Sequence, residues 1–394
     1  MTTAPGMAPT HPAPAARPVA ALDRPVDHRG SWRPTGAMIA TRFMELRKRR
    51  ALMVALAVVN IGIPSLFLLV RLLAHAVDPK SYGPAGGYDI YRALVAGVMY
   101  VFGFIIAATV GATAGSADLT EGMFRHLVIT GRSRLALYLA RIPAGLAIVA
   151  SMVAAGFIIV CAVCTFAAPT QVNYAGTEIP AHLSLSGFER WAGANEDAVL
   201  CNFPYNGPTP PNVRCGPNGG GAGPVIVKGV APTTAPGRST PGELKDDAVQ
   251  IAREDYSGYN AIFLSPSVSL MVQSGLWVEL EATIGFIVGL GLASLLGQRT
   301  VAVVLMIVLE VILTPIFSRT SIPHLVNLQR GVVGLAMAHI EPSGLPAFGG
   351  GNGGGPGSAP QLVPETVTVA ICVIVAWLVV WTAIGAWRMM TRDA

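Results

Sequence analysis

Long unbroken apolar runs, separated by short clusters of charge, set the pattern along this chain. Six stretches carry it: Ala51–Leu73, Leu94–Ala114, Leu137–Phe166, Leu276–Leu296, Val301–Phe317 and Thr366–Trp387. A helix needs about 20 predominantly apolar residues to cross a bilayer. The runs are continuous rather than alternating, so each predicts a membrane helix and not a barrel strand. The fifth is the shortest and contains Glu310.

Charge at the ends of the runs predicts their orientation, because Lys and Arg collect in inner loops. "RFMELRKRR" abuts the first run, which places the N-terminus in the cytoplasm. Counting spans from there puts 115–135 inside, in agreement with its Arg125, Arg132 and Arg134. Arg299 in the next inner turn agrees, as do Arg388 and Arg392 after the last run. The expected fold is therefore an all-α polytopic membrane protein with six transmembrane helices and both termini cytoplasmic. A long extracytoplasmic insert separates the third and fourth spans.

That fold divides the chain as follows. Residues 1–36, rich in Pro and Ala and without an apolar h-region, read as a disordered cytoplasmic tail rather than a signal peptide. Residues 37–50 form an interfacial amphipathic helix, and 51–166 the first three spans, with a cytoplasmic helix at 116–130. The insert is 167–275. Residues 276–394 hold the last three spans and an outer loop at 318–364, whose "FGGGNGGGPGSAP" is a flexible linker by composition.

Composition agrees with the pattern. Of 394 residues, 52% are hydrophobic and only 12% charged, where soluble domains carry roughly a quarter. The net charge of +5 comes mainly from arginine clusters at span ends. No basic stretch is interleaved with exposed aromatics, so nucleic acid is not an expected partner. Membrane lipids are.

Few polar groups stand where chemistry could use them. Glu310 lies near the middle of its span, and a carboxylate at that depth marks either a pathway or a buried polar partner. Glu279 and Glu281 fall at the outer mouth of the fourth span, where they either attract a cation or are solvated. Arg71 and Arg141, near span ends, are expected to snorkel. Cys201 and Cys215 lie on the oxidising side and invite a disulfide. Cys161 and Cys164 form a CxxC without further Cys or His partners, so helix packing outweighs zinc or redox chemistry, and no metal site is expected. Cys372 reads as core. Gly111-x-x-x-Gly115 and Gly285-x-x-x-Gly289 allow close helix approach, within a bundle or between copies.

Two amphipathic segments remain. In "AMIATRFMELRKRR", Ile39, Phe43 and Leu46 share a helical face, which suits either an interfacial helix or a plain basic flank. "SADLTEGMFRHLVITGRSR" (116–134) repeats Leu119, Met123 and Leu127 at four-residue spacing. Asp118 and Glu121 fall in its first turn, where the helix dipole favours anions, and Glu121 can pair with Arg125. Gly131 can end it, and Ser133 can cap the third span. A helix meant only to rest on lipid favours basic residues on its polar face. This one is two-signed.

An entry helix, two spans, an acidic-to-basic inner helix and a third span together resemble an ATP-binding-cassette exporter permease of the type-2 class. "DLTEGMFRHLVITGRSRLALYLAR" is similar to that family's acidic–Gly–x–x–Arg–x–Leu pattern. "LSPSVSL" (264–270) and "GLGLASLLGQRTVAVVLMIVLEVILTP" (289–315) resemble its approach to the fourth span and its turn into the fifth. The likeness covers most of the membrane part and neither outer region. It implies that 116–130 is a coupling helix docking on a separate cytoplasmic ATPase subunit, with Asp118, Glu121, Gly122, Arg125 and His126 as contact residues. It also implies a second permease half, identical or homologous. ATP and Mg would bind the partner ATPase, with no catalytic residue and no cofactor here. The chain has no G-x-x-x-x-G-K-[ST], and the Gly-rich run at 349–355 lacks the lysine. The expected function is export of a lipid, drug-like or polymer substrate across a bacterial plasma membrane, the bacterial source resting on arginine outnumbering lysine.

Two other classes fit less of the sequence. A polytopic enzyme, such as a lipid-linked glycosyl or acyl transferase, would use Asp78 or Asp89 in the first outer loop. The histidines are scattered, however, and no acid–base cluster is visible. A membrane scaffold with a binding outer domain would account for the insert alone.

Overall fold

The computed structural model describes residues 33–120, 133–174, 177–181, 183–203, 241–260, 265–318, 324–343, 345 and 365–391. The protein is mostly helical, with one two-stranded hairpin among the described residues. Five helices are long and apolar enough to cross a membrane, which marks a multi-pass membrane protein.

Helix α1 (Gly36–Lys48) starts at Thr35, whose hydroxyl accepts from the Met38 N–H at 3.4 Å. Arg49, at ψ 75°, breaks it from α2 (Arg50–Val77). Then follow α3 (Tyr88–Thr120) and α4 (Arg134–Phe166). The hairpin pairs β1 (Gln171–Tyr174) with β2 (Thr177–Pro180), Val172 opposite Ile179. Three helices complete the insert: α5 (Leu185–Ala194), α6 (Glu196–Asn202) and α7 (Pro241–Asn260). Helix α8 (Val268–Leu296) is the fourth long one. Helix α9 runs as Arg299–Ile307, a π-helical stretch at Val308–Leu313, and Thr314–Ser318. Two short helices, α10 (Val326–Arg330) and α11 (Val333–His339), precede α12 (Val367–Thr391).

The fifth expected span, Val301–Phe317, is helical, interrupted by the π-helical stretch around residue 310, and is not among the five. The fourth span begins at Val268 rather than Leu276. Ser267 caps it, accepting from the Leu270 N–H at 3.2 Å. The buried Ser274 returns its hydroxyl proton to the Leu270 carbonyl at 2.6 Å, so a polar opening turn still folds as helix.

Helices α3 and α8 form the centre of the bundle, and α8 is its most buried span. Their two glycine pairs face each other. A Cβ at Gly111 would strike the Phe286 carbonyl, and one at Gly289 the Ala108 carbonyl. At Gly115 and Gly285 it would lie 2.6 Å from Leu290 O and 2.8 Å from Phe104 O. Contact this close depends on the absence of side chains, as in small-residue packing of membrane helices. The motifs therefore serve one chain's own bundle.

Within the expected outer loop, the described residues 324–343 carry two packed helices. Helix α11 is buried along most of its length, its Met337 carbonyl accepting from Trp277 Nε1 at 3.0 Å. Trp277 stacks on Tyr100 with ring centres 4.3 Å apart. Trp377 Nε1 donates to the Gly331 carbonyl at 2.8 Å, fixing the turn between α10 and α11 to α12. His339 Nδ1 donates to the Leu335 carbonyl at 2.8 Å and lies 3.9 Å from Glu365, whose side chain is buried.

The insert has its own core, separate from that of the bundle. Phe188 is its hub, stacked on Tyr259 at 4.4 Å and on Phe203 at 6.0 Å. Tyr259 ties the hairpin to α7. It donates to the Pro180 carbonyl at 2.7 Å and accepts from the Leu183 N–H at 3.0 Å.

Candidate functional site

Helix α1 lies against the start of α4, not merely beside a lipid surface. Met38, Arg42 and Leu46, one per turn, are its buried positions, while Ile39 and Phe43 are half-buried. Ala136, Leu137 and Ala140 of α4 cover Met38. Arg42 donates to Glu45 at 2.7 Å with both side chains largely shielded, so the basic flank folds back on itself here.

Arg141 is the surprise of this end. It is 2% exposed, and its guanidinium donates to the Gly115 carbonyl at 3.2 Å. Snorkelling was expected of a span-end arginine, but the small residues Ala114, Gly115 and Ala117 leave it room beneath the neighbouring helix. Glu45, Leu46 and Arg42 of α1 close the same small recess. One buried junction therefore joins α1, the end of α3 and the start of α4. Arg134 adds a link to the last span, donating to the Met390 carbonyl at 3.2 Å.

Residues 118–132 connect α3 to α4 at this junction. The helix of α3 continues to Thr120, so Asp118 sits in its last turn by backbone, while its side chain lies outside the described residues. Glu121, Gly122, Arg125, His126 and Gly131 also lie outside them. Ser133 holds the N-cap position of the next helix, in extended conformation, but makes no side-chain cap bond. The first turn is closed instead by Leu137 N–H donating to the Ser133 carbonyl at 3.1 Å.

The three acids of the apolar runs belong to two helices, Glu279 and Glu281 to α8 and Glu310 to α9. The Glu310 backbone belongs to the π-helical stretch Val308–Leu313, and its side chain lies outside the described residues. Stretches of this kind interrupt the regular ladder and often accompany function. Glu281 is 1% exposed within the bundle. Glu279 is half-buried and lines a cleft between α4 and α8. Helix α8 starts at Val268, so both acids lie several turns into the helix rather than at its first residues. Arg71 remains at its span end, donating to the Pro84 carbonyl at 2.7 Å.

Asp78 and Asp89, the acids an enzyme would use, have local roles. Asp78 accepts from the Ser81 hydroxyl at 2.6 Å, and Asp89 opens a helical turn. No group of metal-ligating side chains occurs among the described residues. The free thiols among them are Cys161, Cys164 and Cys372, the last exposed rather than core. Cys201 is not one of these, and Cys215 lies outside the described residues.

Two features were not legible in the sequence. Asn60 is buried in a π-helical stretch of α2 and donates to the Leu56 carbonyl at 3.0 Å, its own carbonyl pressed on Gly156 of α4. A lone Asn within an apolar run was the only signal. The buried Arg141 had none beyond its small neighbours.

No protein-family model, curated protein or solved structure matches this chain.

Proposed function

We propose that this chain is the membrane subunit of an ATP-driven exporter in a bacterial plasma membrane. A separate cytoplasmic ATPase supplies the energy, and a second permease half completes the pore. In this reading Val301–Phe317 is the fifth of six spans, both termini are inside, and 116–130 is the coupling helix. The observation that carries the reading is the buried junction of α1, α3 and α4 around Arg141. A push on 118–132 would reach both flanking spans and the entry helix at once. A mobile polar connector would dissipate it.

The proposed contact face has Asp118 and Glu121 at one end and Arg125 and His126 at the other. Opposite charges at a docking face set register and partner choice more than they add affinity. Glu310, Glu279 and Glu281 are the polar groups available along a pathway for a lipid, drug-like or polymer substrate. The Cys201–Cys215 bridge belongs to the same outward-facing reading of the insert.

The decisive experiment exchanges the signs. Glu121→Lys alone should weaken co-purification of the ATPase subunit. Glu121→Arg with Arg125→Glu should uncouple ATP hydrolysis while the protein still elutes as a folded species. Full association and transport in the double variant would reduce 116–130 to a surface helix and sink the exporter reading.

A further inference from the structure

The cleft between α4 and α8 has a volume of about 610 Å³, within the range of small-molecule sites. Its walls are apolar, with Phe157, Ile158 and Ala162 on one side and Met271 and Val272 on the other. Glu279 is the one ionisable carboxyl in that lining. It lies eleven residues along α8 from Val268, about 16 Å at 1.5 Å per residue. Its Oε1 is sealed from water and accepts no hydrogen bond from the described residues. Ile158 and Val272 are strongly exposed, so the cleft opens on the outer, apolar side of the bundle.

We propose that this cleft is a binding site for a hydrophobic ammonium compound, its N–H on Glu279 and its apolar body between α4 and α8. Three occupants compete for such a space. Water finds few polar partners along these walls, chiefly Glu279 and Thr165, and a buried water needs two to four of them. A lipid chain fills the volume but gives Oε1 no hydrogen bond and leaves the half-buried acid either charged without a cation or neutral. An ammonium group on an apolar scaffold satisfies both the acid and the walls. Nothing here depends on an ATPase subunit, so the failure of subunit association would leave this site standing, and the converse.

Equilibrium binding of tritiated imipramine, a tricyclic amine protonated at neutral pH, tests the site on the full chain in phosphatidylcholine nanodiscs. Carbamazepine, with a similar tricyclic body and no charge, is the competitor. Saturable imipramine binding is expected, unaffected by equimolar carbamazepine. Glu279→Gln should weaken it by about tenfold or more, the ordinary value of a hydrogen bond to a charged group. Ala162→Trp, which fills the cleft from its open side, should abolish it. Non-saturable binding, unchanged affinity in Glu279→Gln, or retention of binding in Ala162→Trp overturns the proposal. Displacement by carbamazepine does so too, and would mark the cleft as a lipid groove. That competition uses the unaltered protein, so it decides even where a variant fails to fold.

Discussion

In the bundle, glycines bring the backbones of α3 and α8 into contact, and large apolar side chains such as Leu66, Val304 and Val379 point outward. In the insert the arrangement is inverted. Phe188, Phe203 and Tyr259 are inside, while Arg190, Lys245, Asp247 and Glu254 are exposed. The bundle gains little by hiding apolar surface, because its surroundings are as apolar as its interior. Close packing and a few backbone-directed bonds hold it together. The insert is built for water, where removal of aromatic area from solvent supplies the driving force. One chain thus carries two cores that should respond to different insults.

The largest separation is expected from Phe188→Ala. Deleting the hub ring of a small core costs about 3–5 kcal/mol, comparable with all the stability such a core has. Amide exchange over 241–260 should accelerate to the rate of an unfolded segment while α3 and α8 keep their protection. Equal loss in both would show the cores to be one cooperative unit.

Reduction comes next. A bridge closing the loop from Cys201 to Cys215 is worth about 3 kcal/mol in the chain-entropy model. Reductant should therefore loosen the insert and leave the bundle unchanged. The accompanying check is intact mass, and an unchanged mass on reduction removes the bridge from the account.

The bundle has its own weak point. Gly289→Val places a branched side chain against the Ala108 carbonyl, and overpacking of this kind costs about 1–3 kcal/mol. The thermal midpoint of the detergent-solubilised protein should fall, with the insert's exchange rates unaltered. A midpoint equal to that of the parent would mean that α3 and α8 can separate without cost.

The two regions also differed in what the sequence could reveal. Five of the apolar runs became long helices, because about 20 such residues in a row leave a membrane helix as the simplest outcome. Boundaries were less legible. The start of α8 is set by the Ser267 cap and by Ser274, polar residues that lower hydropathy while supporting the helix. Helix α11 escaped because Val333–His339 is far too short to span, and its place depends on Trp277 and Trp377 from distant parts of the chain. The insert was opaque for a related reason. Its core joins α5 to α7 across a Pro- and Gly-rich stretch that carries no periodic signal. Glu279 was visible as an acid in an apolar run, but its cleft is formed jointly by α4 and α8, residues more than a hundred positions apart in the chain.

The smallest expected effect concerns pH. Tyr174 donates its hydroxyl to Asp255 at 2.6 Å, linking the hairpin to α7 across the insert. Burial, together with that hydrogen bond and the nearby carboxylate charge, raises its pKa above the ordinary 10.0. The folded insert therefore holds this proton more tightly than the unfolded chain does. Its contribution is complete below pH 10.0 and is lost as pH rises from there through the folded value. Tyr174 is partly exposed, so the effect is a fraction of the shift. Exchange over 241–260 should accelerate above pH 10.0 beyond its intrinsic base dependence, and Tyr174→Phe should remove that excess. The bundle holds tyrosines too, among them Tyr91 and Tyr138, but they belong to membrane spans. Their helices should keep their protection over the same range. An identical excess in α3 would show that the insert's ionisation reaches the membrane core, and the independence of the two regions would fall with it.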